Sequence, residues 1–152
     1  MNIEFKGKTI DKIKVGDTAY FAKTISESDV VQYAGITGDV NPVIVDEEFA
    51  AKTHFKKPVV HGMLLASLFS NVVGTKLPGP GSVHVSYKVS FINPVYIGDT
   101  VEIKVEVVEI FKETNSVKMD VELMNQDGVQ VMKGMGVVMP PTADMGYEKA
   151  KA

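Results

Sequence analysis

The chain has 152 residues, of which 45% are hydrophobic and 23% charged, with a formal net charge of −3 and no cysteine. That length predicts one domain, residues 1–152, of ordinary globular composition. The mild negative charge, with no basic run, argues against a nucleic-acid partner, while the lack of cysteine excludes disulfides, a thiolate nucleophile and cysteine metal ligands, and suits a cytoplasmic protein.

Ile3 to Ala22 contains strand-like pieces punctuated by Gly7 and Gly16-Asp17, and Met1 to Lys8 carries charge too early for a signal peptide. Ser26 predicts a helix N-cap, with Asp29 standing where a capping box usually has Glu. That helix runs to about Ile36 and stops near Gly38. Asp46 predicts the cap of a short second helix, Glu47 to Thr53. Pro58 stands at the entrance of an apolar run, Val59 to Val73, and Pro78-Gly79-Pro80-Gly81 closes it. The run is shorter than the ~18 residues of a membrane span and is broken by His61, Ser67 and Ser70, so it reads as a buried core helix.

Beyond Gly81 the period changes to two. Val83, Val85, Tyr87, Val89 and Phe91 alternate with His84, Ser86, Lys88 and Ser90, which predicts a strand with one buried face. Asn93-Pro94 breaks it and Gly98-Asp99 turns. Val101 to Val107 is a second alternating strand, and Val108 interrupts the alternation, which predicts a bulge. Val117 to Leu123 is a third. Asp127-Gly128 signals a hairpin into Val129 to Met139, where Gly134 and Gly136 predict close backbone approach or a bend. Residues 140–152 read as a loose tail. The pattern predicts an α+β domain in which an antiparallel sheet wraps one long apolar helix. A small curled sheet leaves an edge or face open, which predicts a homodimer.

Two positions carry candidate chemistry. Asp39 lies in a loop of turn formers, Gly38 to Asp46, followed by Asn41 and Pro42. Gly62 lies at the start of the apolar helix. An acid can handle protons, and free N–H groups at a helix start can hold a negative oxygen. The same residues also have plain readings, Asp39 as a turn residue and Gly62 as a packing glycine. His61, His54 and His84 are scattered, no two have metal-ligand spacing, and no metal is expected. His84 falls on the polar face of its strand. Met63, Leu64, Leu65, Leu68 and Phe69 read mainly as core. Lys52, Lys56 and Lys57 form a small basic cluster, read as a solvated face.

Three stretches share a likeness: G-D-V-N-P-V-I-V-D-E-E-F-A-A-K-T from Gly38, P-V-V-H-G-M-L-L-A-S-L-F-S from Pro58, and F-I-N-P-V-Y-I-G-D-T-V from Phe91. They resemble the MaoC-type, (R)-specific enoyl-CoA hydratases and 3-hydroxyacyl-CoA dehydratases. The likeness covers roughly Ser26 to Val107. It implies a hot-dog fold with the dimer as working unit. The implied reaction is reversible hydration of a trans-2-enoyl-CoA to an (R)-3-hydroxyacyl-CoA, with no cofactor beyond the coenzyme A of the substrate. The implied partners are an acyl-CoA thioester and a second copy of the chain, with neither nucleic acid nor membrane.

Carried over, the family's catalytic Asp falls on Asp39, its Asn-Pro on Asn41 and Pro42, and its oxyanion-binding Gly on Gly62. His61, Met63 and Ser70 fall in the supporting or substrate-binding positions. The family's catalytic His, five residues after the Asp, falls on Ile44, which can neither bind nor move a proton. His54 is the one nearby imidazole, and its spacing does not aim it at Asp39. The expectation is a hydratase impaired by Ile44. The alternatives are an acyl-CoA-binding protein without turnover, or a thioesterase of the same fold. The apolar Val43, Ile44 and Val45 are expected to desolvate Asp39.

Overall fold

The computed structural model describes residues 6–143. Five strands form one sheet: β1 (Thr18–Thr24), β2 (Val83–Phe91), β3 (Thr100–Phe111), β4 (Ser116–Asn125) and β5 (Gln130–Met139). Their order is β1-β3-β4-β5-β2, and every pairing is antiparallel. Four helices precede β2: α1 (Glu27–Thr37), α2 (Pro42–Val45), α3 (Glu47–Lys52) and α4 (Gly62–Thr75). The sheet curls around α4, which is the hot-dog arrangement expected. Among the described residues no helix is long and apolar enough to cross a membrane.

Local chemistry sets most of these elements. Ser26 accepts from the Asp29 amide and the Asp29 carboxylate accepts from the Ser26 amide at 2.8 Å, so the capping box closes with Asp in place of Glu. That backbone donor, together with Lys23 at 3.0 Å, holds the Asp29 carboxyl below its ordinary range. Gly38 ends α1 in the left-handed conformation, φ 75°. Asp46 caps α3 through the Phe49 amide. Asn125 accepts from the Asp127 and Val129 amides and pins the hairpin before β5.

The core lies between α4 and the concave face of the sheet. Leu65, Phe69, Val72 and Val73 of α4 are buried against Val101, Ile103, Val105 and Val107 of β3, with Val121 and Leu123 of β4 alongside. Each such side chain contributes about 1.5–3 kcal/mol, far more than helix propensity does. The register of β3 on β4 shifts between Val107 and Glu109, the bulge expected at Val108. Gly136 of β5 leaves room for Phe69, since a Cβ there would stand 2.7 Å from its Cζ, and Gly134 does the same for Tyr87.

Four expectations need correction. The apolar run is not helical from its start: Val59 and Val60 are extended, Val59 bridging to Tyr96 and the Val60 amide bonding to the Val95 carbonyl at 2.8 Å. Met63, expected in the core, is 57% exposed. β2 buries its apolar face only in part: Tyr87 and Val89 pack against the core, but Val83 and Val85 are 60% and 57% exposed, and a register shift lies between His84 and Ser86. Pro140 and Pro141 are buried, with the Pro140 carbonyl accepting from Asn115 at 2.9 Å. The rest of the expected tail, residues 144–152, and the first strand-like residues, 1–5, lie outside the described residues. His84 is exposed as expected, yet its ring meets Phe69 edge-on at 5.0 Å, and partial burial lowers its pKa.

Tyr87 sits at the edge of this core with its hydroxyl shielded and unpartnered among the described residues. Burial pushes its pKa up to about 12. Stability from keeping this phenol neutral is therefore complete below about pH 10 and is lost as pH rises towards 12. Tyr87→Phe should remove that alkaline loss and, by deleting an unsatisfied buried hydroxyl, stabilise the fold at neutral pH by about 1–3 kcal/mol. Thermal melts at pH 7 and pH 11 check both. A lower melting temperature at pH 7 would show that the hydroxyl has a partner.

Candidate active site

The segment from Gly38 to Asp46 is built from consecutive short-range bonds. The Asp39 amide donates to Thr37 Oγ1 at 3.2 Å, and the Asn41 amide donates to the Asp39 carboxylate at 3.2 Å. Asn41 Oδ1 then accepts from the Val43 amide and caps α2, whose first residue is Pro42. Sequence reading missed α2, although Asn-Pro is its start signal. The Val59 amide, donating to the Val43 carbonyl at 3.2 Å, ties this segment to the extended residues that lead into α4.

Asp39 itself is exposed in the single chain. The expected apolar shield around it is not there. Ile44 is 8% exposed and packed into the hydrophobic core, and Val45 faces outward.

His61 joins the two halves of the site. It precedes α4 as the N-cap residue, yet its side chain caps nothing. Its Nε2 instead meets the Asp39 carbonyl at 2.9 Å, a bond spanning 22 residues. A carbonyl can only accept, so Nε2 carries the hydrogen. The Tyr33 ring packs on the imidazole at 4.9 Å, and Nδ1 is buried with no partner among the described residues. Leaving Nδ1 so costs about 1–3 kcal/mol, while the bond to Asp39 returns about 0.5–1.5 kcal/mol. The two terms are of similar size, so the polar atoms of His61 add little net stability.

Gly62 opens α4, and its N–H belongs to the first turn, which has no intrahelical acceptor. With the helix dipole behind it, that N–H suits a developing negative oxygen. Gly62 lines a cavity of about 590 Å³ with Leu65, Phe55, Phe91, Val95 and Tyr96 among its walls. Phe91 covers the glycine closely: a Cβ at Gly62 would stand 3.0 Å from Phe91 Cε1. Nothing in the strand pattern singles out Phe91, whose place over Gly62 comes from the curl of β2. His54 also lines this cavity, stacked on Phe55 at 3.9 Å. Lys57, from the basic cluster, lies over the Tyr96 ring at 4.2 Å, which sets a cation beside a cavity wall.

Met63 and Ser70 are elsewhere. They face a second slot, of about 410 Å³, between α1, α4 and β2, with Tyr33, Phe69, His84 and Tyr87. The backbone of Asp39 is thus tied through His61 to the residue before Gly62, Met63 and Ser70 lie along a neighbouring slot, and Ile44 lies in the core.

Known proteins share this arrangement of chain. The family model described as a MaoC like domain matches residues 12–127. A 3-hydroxybutyryl-CoA dehydratase of Methylorubrum extorquens is 44% identical over 131 residues, covering 86% of this chain and 83% of that protein. An (R)-specific enoyl-CoA hydratase of Aeromonas caviae is 38% identical over 129 residues, covering 85% of this chain and 96% of that one. The solved structure of the unliganded R-hydratase PhaJ1 of Pseudomonas aeruginosa superposes with a TM-score of 0.88 at 34% identity, covering 98% of this chain and 96% of that chain. A match over most of the chain in sequence and in fold leaves one assignment: the chain belongs to the family of MaoC-like domains.

Proposed function

We infer that this chain hydrates the double bond of a trans-2-enoyl-CoA to an (R)-3-hydroxyacyl-CoA and runs the reverse dehydration. The observation that carries the reading is the hydrogen bond that ties Asp39 to the residue next to Gly62, at the mouth of a cavity. The Asp39 carboxylate takes a proton from water as the hydroxyl adds to C3. Electron density moves to the thioester oxygen, which the Gly62 N–H stabilises. The same carboxyl then returns a proton to C2, so water is added with no group left over. In this reading Asn41 and Pro42 shape the acid's loop, and Met63 and Ser70 support the acyl group. The chemistry needs no metal or redox group. The cysteine-free composition suits the cytoplasm.

One observation favours a second reading. Among the described residues no imidazole is bonded to the Asp39 carboxylate: Ile44 is in the core, His61 Nε2 is bonded to the Asp39 carbonyl, and His54, on the cavity wall, packs on Phe55. A protein that holds acyl-CoA without turnover would have such a site. Loss of crotonyl-CoA absorbance with purified protein decides between them. The expected outcome is a slow rate in the native chain that Asp39→Asn lowers by about 10²–10⁴-fold. Ile44→His should raise the neutral-pH rate by about 10–10²-fold and add an ionisation to its pH profile. A rate seen only in Ile44→His means a binding protein, and a native rate in Asp39→Asn removes Asp39 from the mechanism.

Gly62 has its own test. Proline is tolerated at the first position of a helix, and His61 already has the extended backbone that proline asks of its predecessor, φ −53° and ψ 124°. Proline and alanine both set a Cβ against Phe91, but only proline deletes the N–H. Gly62→Pro should lose about 10²–10³-fold in kcat and Gly62→Ala much less. Equal rates in both would show that the amide is not the oxyanion donor.

The working unit in this reading is a homodimer. β2 is an edge strand with unpaired backbone along one side and Val83 and Val85 turned outward. Such an edge is a template for a second copy. Sedimentation at micromolar concentration should give twice the mass of one chain, and Val85→Lys should halve it. A monomeric native chain would refute the pairing.

A further inference from the structure

The short-range bonds of residues 38–41 leave that loop free to shift as a unit. Gly38 bonds back to Ala34, Asp39 to Thr37, Val40 to Gly38 and Asn41 to Asp39. Among the described residues, one hydrogen bond ties this loop to a distant element, that from His61 Nε2 to the Asp39 carbonyl. We propose that His61 is the positioning residue of the site: its imidazole fixes the backbone of Asp39 against the first turn of α4. It thereby sets the separation between the carboxylate and the Gly62 N–H. The proposal rests on the roles given above to Asp39 and Gly62.

Three features support it. The side chain at an N-cap normally bonds to the helix's own amides, and this one turns away from them to the loop. The ring is held by two different elements, Tyr33 of α1 packing on it at a 58° tilt and Asp39 bonded at Nε2. Its burial also leaves Nδ1 with no partner among the described residues, so the polar atoms of the ring add little net stability. A buried leucine would serve the core better. What the imidazole provides is direction, because a planar donor held by two elements allows the carbonyl one position. His61 touches no reacting atom here and acts through Asp39.

The test begins with the native full-length chain labelled with ¹⁵N at histidine. Long-range ¹H–¹⁵N spectra should show the ring of His61 with its hydrogen on Nε2. The Nδ1–H tautomer would overturn the proposal. Two variants complete the test. His61→Phe keeps a ring against Tyr33 and removes the donor, whereas His61→Gln keeps an N–H able to reach the carbonyl. Amide exchange at residues 39–41 should rise about tenfold or more in His61→Phe and return towards native in His61→Gln, with the amides of Leu68 to Val73 unchanged in both. Unchanged exchange at 39–41, or a rise shared by α4, would overturn the assignment. With crotonyl-CoA, His61→Phe should lower kcat by on the order of 10²-fold, the cost of misplacing a reacting group by about 1 Å, while KM moves little. A native kcat in His61→Phe, in an assay where Asp39→Asn is inactive, sinks the positioning role alone. A native rate in Asp39→Asn sinks the catalytic reading and leaves the tautomer and exchange results to judge His61.

Discussion

Six of the fourteen residues of α4 are buried, and the concave face of the sheet covers them. That single packing constraint organises the rest. The sheet has to curl, and the small residues of β5 let the helix come close enough for Phe69 to seat. The helix has to enter the core from one end, so its first turn stays at the rim, where the Leu64 amide bonds to the His61 carbonyl and the Gly62 N–H has no intrahelical acceptor. A helix start without a capping side chain would ordinarily be a weakness. Here it faces a cavity, and the residue that might have capped it binds the Asp39 loop instead.

The chemistry of the site depends on how its charges are housed. Asp39 is exposed at the end of a turn, whereas the Gly62 N–H lies at the start of α4 with the helix dipole behind it. Ile44 is packed into the core, and His61 Nε2 is bonded to the Asp39 carbonyl. Under the hydratase reading proposed above, the proton transfers fall on the one carboxylate, and slow turnover is the expected outcome.

The sheet edge is the other place where the fold is incomplete in one chain. The strand pattern of β2 is that of a half-buried strand, yet Val83, Val85 and Phe91 lie open while Tyr87 and Val89 pack on the core. An alternating sequence records which face is apolar, and it does not record who covers that face. The exposed Met63, Ser67 and Ser70 of α4 extend the same open region beside the slot.

Much of the fold was legible in the sequence, for a definite reason. The capping box at Ser26, the cap at Asp46, the stop at Gly38, the bulge at Val108 and the Asp127-Gly128 hairpin all depend on residues within a few positions of one another. The apolar run announced a helix. Gly62 as the start of α4 was legible, but the state of the apolar residues before it was not, because Val59 and Val60 are held by partners in Val43, Val95 and Tyr96. The cover of Phe91 over Gly62, the burial of Ile44 and the open face of β2 were likewise invisible. So was the bond from His61 to Asp39. Sequence by itself determined what each segment is, since caps, turns and periodicity are short-range. Only the tertiary structure decided which side chains meet, because that depends on how a twisted sheet curls around one helix and brings together residues far apart in the chain.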